Sequence, residues 1–393
     1  MYRGDGLGQL KIAFFLPDFI EAFREFGVNK DTYYMDQGFP NQYCRSLLLL
    51  GHDTCLIYLS RELKGVEKAK HVFGHRLLAI PAKGPKHLAS MFTALEILKT
   101  KEFRESDLVH TFNYYNPLVL FLAVIGILMR KPVIVSSHRS PHKMSLRMRL
   151  MVRTILNLAQ HIICINVEDV KKLQTELCIK PSRISMIPNG IDADFYIPCE
   201  KRKTRLDLGL DSDAKYVLCV SRLHPEKGVH VLLHAFRKVA DIVQDSILVI
   251  VGIGYFGHEL KKLSENLFLD SRVIFAGFVS EETKRKLYSC SHVFVLPSFM
   301  EMFPLVILEA MSAGLPIVST KVGGWTQLSQ ESELGITVPA GDPDMLADAI
   351  IQLLHDPELR TRLGSAGRRL VLQKYTWKRM GENLNRLYSH IVS

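Results

Sequence analysis

The sequence predicts an α/β protein built from two doubly wound parallel sheets. Short apolar runs rich in β-branched residues alternate with helix-length segments along the whole chain. The alternation restarts after a polar, basic segment at residues 200–205, which reads as a linker. A chain of 393 residues also exceeds what one core commonly organises, so two domains are expected.

Residues 11–16 read as the first buried strand. Phe19, Phe23 and Phe26 then recur at helical spacing before a turn carrying Tyr33 and Tyr34, and they form either local core or a lid or acceptor wall. Gly38 opens a helix that Gly51 caps, and residues 54–59 form the next strand. Further strands fall at 77–81, 108–111 and 132–137, the last ending in His138 and Arg139. Residues 118–129 are apolar throughout, short for a membrane span, and read as a buried helix. Residues 143–160 read as a helix with Met144, Met148, Met151, Ile155 and Leu158 on one apolar stripe. A strand at 161–166, a helix to 177, a strand at 184–187 and the turn PNGID close the first half. The second half carries strands at 216–220, 246–251, 272–275, 293–296, 316–320 and 335–338, and a last helix begins at Trp377.

The formal net charge is +10. No acidic residue lies between Asp107 and Glu168, an interval that carries Arg130, Lys131, Arg139, Lys143, Arg147, Arg149 and Arg153. Such an interval attracts anions: phospholipid head groups, nucleotides or nucleic acid. The helix at 143–160 therefore presents either a solvated basic face or an interfacial one, whose Leu146 and Leu150 dip into an anionic bilayer. No nucleic-acid-binding module is recognisable, so nucleic acid is not an expected partner. The seven cysteines show no CxxC pairs and no metal-ligand spacing, and no export signal is visible. The expectation is a cytoplasmic protein without structural disulfides, attached to the inner face of the membrane if the basic helix is interfacial.

Candidate chemistry centres on SFMEMFPLVILEAMSAG, residues 298–314. The apolar run HVFVLP before it reads as a strand, and a helix should start near Pro304 and end at Gly314. Glu301 then stands in the turn at the helix mouth, where the dipole keeps a carboxylate ionised and able to accept from sugar or ribose hydroxyls. Glu309 lies inside the helix among Val306, Ile307, Leu308 and Met311, where a carboxylate needs a partner or a ligand. Arg222 and Lys227 flank a turn that follows a strand, so two fixed cations sit at the ligand end of a parallel sheet and can neutralise a diphosphate. Gly228, Gly252, Gly254 and Gly277 permit close backbone approach at the same end.

Together these stretches resemble the family 4 glycosyltransferases. Glu301-x7-Glu309 followed by AMSAGLPIVSTKVGG is similar to that family's signature, SRLHPEKG to its donor-phosphate motif, and PNGID to its turn before the interdomain linker. VIFAGFVSEETKRKLYSCSHVFVLPS resembles the run before the paired glutamates, and GHDTCLIYL the end of the first helix and the strand after it. The resemblance implies the GT-B fold: two Rossmann-like doubly wound domains facing each other across a cleft. Residues 1–195 would bind the acceptor and 206–375 the nucleotide sugar, with 376–393 a C-terminal helix packing back on the first domain. It implies a retaining hexosyltransferase that uses a UDP- or GDP-sugar on a lipid-linked, glycan or small-molecule acceptor. Its domains would close over the donor, and it would need no metal or other cofactor.

By the same resemblance Arg222 and Lys227 hold the diphosphate near Ser221, Gly252 and Gly254. Glu301 binds sugar hydroxyls with the backbone N–H groups at Met302, Phe303 and Leu305, Glu309 holds the ribose, and the base lies near Phe278 and Val279. His138 corresponds to a histidine close to the reacting sugar carbon, and Gly38 to a glycine loop near the phosphate and acceptor. The chain departs from the family pattern at four points. Gln37 stands where a glycine is common, the helix between Gly38 and Gly51 is short, Met302 replaces a common glycine, and Gln327 replaces a usual Glu after VGG. Other readings of the same residues are a nucleotide-sugar epimerase or phosphorylase of this architecture, and a non-enzymatic nucleotide-sugar-binding or nucleic-acid-binding protein.

Overall fold

The computed structural model describes residues 8–19, 39–82, 89–138 and 144–393. The chain divides into two compact units, one of Met1–Asn189 with Trp377–Ser393 and one of Gly190–Thr376. Gly38, Gln37, Phe23, Phe26, Tyr33 and Tyr34 lie outside the described residues.

In the first unit the strands are β1 (Lys11–Phe19), β2 (Asp53–Ser60), β3 (Glu67–Lys70), β4 (Arg76–Pro81), β5 (Leu108–Phe112), β6 (Val133–Ser137), β7 (His161–Cys164) and β8 (Ile184–Met186). They form one sheet in the order β3-β4-β2-β1-β5-β6-β7-β8. All pairings are parallel except β3, a short charged strand antiparallel to β4 that the sequence pattern did not reveal. Charge on an edge strand discourages further pairing. The crossovers are made by α1 (Phe39–Leu48), α2 (Ala89–Lys99), α3 (Lys101–Arg104), α4 (Pro117–Leu128), α5 (Leu146–Leu158) and α6 (Val167–Thr175).

The second unit opens with α7 (Lys201–Asp207), and its sheet contains β9 (Lys215–Val220), β10 (Ser246–Val251), β11 (Val273–Gly277), β12 (Val293–Leu296), β13 (Ile317–Thr320) and β14 (Gly335–Val338). The order is β11-β10-β9-β12-β13-β14, parallel throughout. Its helices are α8 (Val229–Ile242), α9 (Gly257–Asn266), α10 (Glu281–Cys290), α11 (Leu305–Ser312), α12 (Gly323–Glu331), α13 (Pro343–His355) and α14 (Pro357–Lys374). A final helix, α15 (Trp377–Val392), returns to the first unit. There Met380, Leu384 and Tyr388 join the core around Tyr43, Cys44 and Leu47 of α1.

Four local expectations need correction. The basic segment at 200–205 is not a linker but α7. Glu200 accepts from the Lys203 N–H to cap it, and buried Arg205 donates to the Cys290 carbonyl at the end of α10. That contact satisfies a helix C-terminus with a cation, as Arg183 does for α5 and Arg360 for α13. Pro304 is the N-cap of α11 rather than its first turn, while Gly314 does take the left-handed φ of +75° expected of a cap. On α5 Ile155 of the expected stripe is buried and Met144 and Met151 pack against the same core, but Val152 and Leu156 complete the buried face and Met148 faces solvent. The helix at Pro117–Leu128 buries Leu118, Val119, Leu122, Ala123 and Gly126 but exposes Val124, Ile127 and Leu128. Where every residue is apolar, periodicity cannot say which face is covered.

Candidate active site

In the second unit the strand order turns back at β9. Strands β10 and β11 lie to one side of it and β12, β13 and β14 to the other. The gap between β9 and β12 is therefore the topological switch point, where loops at the carboxyl ends of the strands diverge and leave a crevice. The loops after β9 and β10 are bonded to each other: the Ser221 N–H donates to Val251 O at 3.0 Å and the Leu223 N–H to Ile253 O at 2.9 Å. This brings Ser221 beside Gly252 so closely that a Cβ on Gly252, at φ +133°, would lie 1.9 Å from Ser221 O. Gly254 packs in the same way against Leu223. Across the switch point, a Cβ on Gly228 would lie 2.0 Å from Pro297 O at a φ of +67°. Only glycine permits that approach of the β9 turn to the end of β12.

The consequence is a short ion pair. Lys227, at the end of the β9 turn, donates from Nζ to Oε1 of Glu301 at 2.7 Å. Both side chains are only 13% exposed. The Ser298 hydroxyl donates to the same oxygen at 2.9 Å, and Ser298 is itself fixed by a hydrogen bond from the Thr320 hydroxyl to its carbonyl. Glu301 stands four residues before α11, whose first N–H groups have no acceptor within the helix. Cation, carboxylate and helix N-terminus therefore share one place, suited to a ligand with both a diphosphate and hydroxyl groups. Arg222 is exposed in the turn that carries Lys227.

Glu309 sits one turn deeper, on α11, and both its oxygens have partners. Lys284 Nζ donates to Oε1 at 3.1 Å and the Tyr288 hydroxyl to Oε2 at 2.8 Å. Lys284 also lies 2.9 Å from Glu281, which accepts from the Tyr196 hydroxyl at 2.7 Å. Burial, the largest single influence on Lys284, works against its charge, yet Glu309 and Glu281 together raise its pKa above the ordinary lysine value. Lys284→Met should cost about 3 kcal/mol of stability by stranding a buried carboxylate. Tyr288→Phe, which removes one neutral donor, should cost about 1 kcal/mol. Urea denaturation measures both, and a Lys284→Met protein as stable as wild type would contradict this account of the cluster.

Phe278 and Val279 follow β11 at the same end of the sheet, with Phe278 64% exposed and Val279 half-buried. Met302 is half-buried, and its carbonyl accepts from the Gly324 N–H at 2.8 Å. Phe303 is buried against Tyr375 and Gly324, and Leu305 opens α11. The structure thus collects the expected residues of the second unit at the carboxyl ends of four adjacent strands, β11, β10, β9 and β12. Ser298, Lys284 and Tyr288 were not singled out by the sequence. Ser298 adjoins the strand three residues before Glu301, and the α10 pair becomes visible only once that helix is placed against α11.

His138 belongs to the first unit, one residue beyond β6. Its ring meets Tyr43 and Phe112 edge-on, with centroids 5.5 and 5.4 Å away, and both its nitrogens are buried. Burial lowers its pKa to about 3, so the imidazole is neutral at physiological pH. A neutral ring exchanges hydrogen bonds rather than supplying charge. Among the described residues no group of histidine, cysteine or carboxylate side chains is arranged to hold a metal ion.

Residues 200–370 match the family described as "Glycosyl transferases group 1" and residues 41–195 match "Glycosyltransferase Family 4". An uncharacterized glycosyltransferase of Methanocaldococcus jannaschii is 33% identical over 226 residues, which is 56% of this chain and 58% of the relative. A D-inositol 3-phosphate glycosyltransferase of Corynebacterium efficiens is 32% identical over 222 residues, 54% of this chain and 52% of the relative. The matches thus span a little over half the length of these curated relatives. The crystal structure of Anabaena HepE in complex with UDP superposes with a TM-score of 0.76 at 20% identity, covering 97% of this chain and all of that one, a likeness of fold. The two family matches, one in each parallel-sheet unit, make this chain a member of glycosyltransferase family 4 with the GT-B fold.

Proposed function

We propose that the protein is a retaining hexosyltransferase that draws on a nucleotide-diphosphate sugar and needs no metal ion. The observation that carries this reading is the Lys227–Glu301 pair, 2.7 Å apart at the switch point of the second sheet and just ahead of a helix N-terminus. A donor entering there would exchange that contact for two others. Lys227 turns to the diphosphate with Arg222 and the N–H groups at the head of α11, and Glu301 accepts from sugar hydroxyls. Glu309 accepts from the ribose while still held by Lys284 and Tyr288. Phe278 and Val279 flank the base, and His138 serves the sugar as a neutral hydrogen-bonding group.

In the reaction the bond between the anomeric carbon and the diphosphate oxygen breaks. The acceptor oxygen bonds to the same carbon on the same face, and its proton passes to the departing phosphate. The protein supplies the charge stabilisation that a metal would otherwise give, and no carboxylate nucleophile is required. The acceptor is a hydroxyl on a phosphorylated, glycan or lipid-linked molecule. The name of the Corynebacterium relative, a D-inositol 3-phosphate glycosyltransferase, favours an anionic acceptor of this kind.

The test is the anomeric configuration of the product, read by NMR, in reactions with and without EDTA. Retention at an unchanged rate in EDTA is expected. An inverted product, or activity lost in EDTA and restored by a divalent cation, would overturn the proposal.

A further inference from the structure

We propose that the outward faces of α4 and α5 form one surface that docks the first unit on an anionic phospholipid bilayer. The sequence pointed only to α5. In the structure α4 adds the apolar part: Ile127 is 54% and Leu128 78% exposed, with Val124 and Met129 beside them in solvent. The neighbouring α5 adds Leu146 at 73% and Leu150 at 57%. The exposed apolar side chains thus fall on two neighbouring helices, Ile127 and Leu128 at the carboxyl end of α4 and Leu146 and Leu150 in the first half of α5, and an interface that takes both helices can cover them together. A shallow depression lined in part by Ile127, Arg130 and Leu158 lies where the carboxyl ends of the two helices meet.

Charge selects the occupant. Arg130, Arg147, Arg149 and Arg153 all lie exposed on these two helices or at their ends, in an interval with no acidic residue between Asp107 and Glu168. Among the described residues one carboxylate is paired with this face, Glu176 at 3.7 Å from Arg149. A second copy of the chain, related by a twofold axis, would bring these arginines against themselves. Anionic head groups would neutralise them while the leucines enter the interface. No helix among the described residues is long and apolar enough to cross a membrane, so docking would be interfacial. The surface would bring the unit assigned to the acceptor to a lipid-linked substrate. That use rests on the transferase reading, but vesicle binding itself does not.

The test is flotation of the protein with phosphatidylcholine vesicles, with and without phosphatidylglycerol. Binding is expected only to the anionic vesicles and should weaken as salt is raised. Arg147→Glu/Arg153→Glu and Leu128→Glu/Leu150→Glu should each lower partitioning by about tenfold or more, with melting temperature and nucleotide-sugar binding unchanged. The proposal fails if wild type ignores anionic vesicles or if both variants bind as wild type does. It also fails if light scattering shows a dimer that the leucine variant dissociates, which would assign the face to a second copy. A protein that binds vesicles but no nucleotide sugar would retain this surface and lose the transferase reading.

Discussion

Lys227→Ala and Glu301→Ala should each lower kcat/KM by about 10² to 10³-fold, the loss typical of removing one preorganised charge-stabilising group. The two substitutions act on different parts of the substrate. If, as proposed, Lys227 supplies the cation for the leaving diphosphate, its loss should appear mainly in kcat, where negative charge develops. If, as proposed, Glu301 orients the sugar, its loss should raise KM as well. Because the side chains are paired at 2.7 Å before any ligand arrives, their effects should not add: the double variant should be less impaired than the product of the single losses. Ser298 still donates to Glu301 in Lys227→Ala, but one hydroxyl does not replace the cation, so some loss of stability is expected and the melting temperature separates it from the loss of activity. Steady-state kinetics on the three variants, with melting temperatures as a control, measures all of this. Near-normal transfer by both single variants would remove the pair from the mechanism.

Acid should destabilise the protein steeply between neutral pH and pH 5, in the first unit through the histidines below and in the second through His292, which burial lowers to about 2. Burial lowers His75 and His138 to about 3 and His110 well below the ordinary histidine value, with His71 adding to the effect on His75 and His138 to that on His110. Their partners suit neutral rings: His75 Nε2 lies 2.9 Å from Asn41 Oδ1, and His110 Nδ1 is bonded to the Tyr388 hydroxyl. The sign follows from proton binding. Below the ordinary histidine pKa the unfolded chain takes up protons that the folded one refuses, so stability falls as pH drops from about 6.5 towards 3. At pH 5 each such histidine costs about 2 kcal/mol, or about 4 kcal/mol for His75 and His138 together, with His110 adding more. Asp169 opposes this. Burial raises its carboxyl to about 6, so it binds a proton in the folded state first and returns about 1 kcal/mol by pH 5. Urea unfolding at pH 7 and pH 5 tests the balance, with separate probes for the two units because their transitions need not coincide. Equal stability at the two pH values would show that these rings are not held neutral.

The parallel sheets were legible because their strands are short, continuously apolar and β-branched, and the turns between them carry glycines with a geometric purpose. Gly228 and Gly252 illustrate this: each faces a carbonyl oxygen, 2.0 and 1.9 Å from where its Cβ would stand. Glu301 and Lys227 could be placed at one end of a sheet from spacing alone. Their direct contact could not, since it depends on β9 and β12 being neighbours although five elements, α8, β10, α9, β11 and α10, separate them in the chain. Glu309 was recognisable as a carboxylate in need of a partner, but Lys284 and Tyr288 were hidden on a helix whose packing no local pattern encodes. The same limit applies to α7, where the charged run KRKTRLD looks like a solvated linker until Arg205 is seen buried against the end of α10. On α4 and α5 the pattern found the helices but not which positions are covered, because long apolar runs and methionine stripes look alike whether or not anything covers them.

The most direct measurement is calorimetric titration of UDP-, GDP- and ADP-sugars, and of the corresponding free nucleotides, into wild type, Lys227→Ala and Glu301→Ala in the presence of EDTA. One nucleotide sugar should bind without metal. Lys227→Ala should weaken both that donor and its free nucleotide diphosphate by about tenfold or more, which is about 1.4 kcal/mol. Glu301→Ala should weaken the sugar donor while leaving the free nucleotide diphosphate nearly unchanged. Binding that neither substitution disturbs, or the absence of binding by every donor, would contradict a donor site at the β9–β12 switch point.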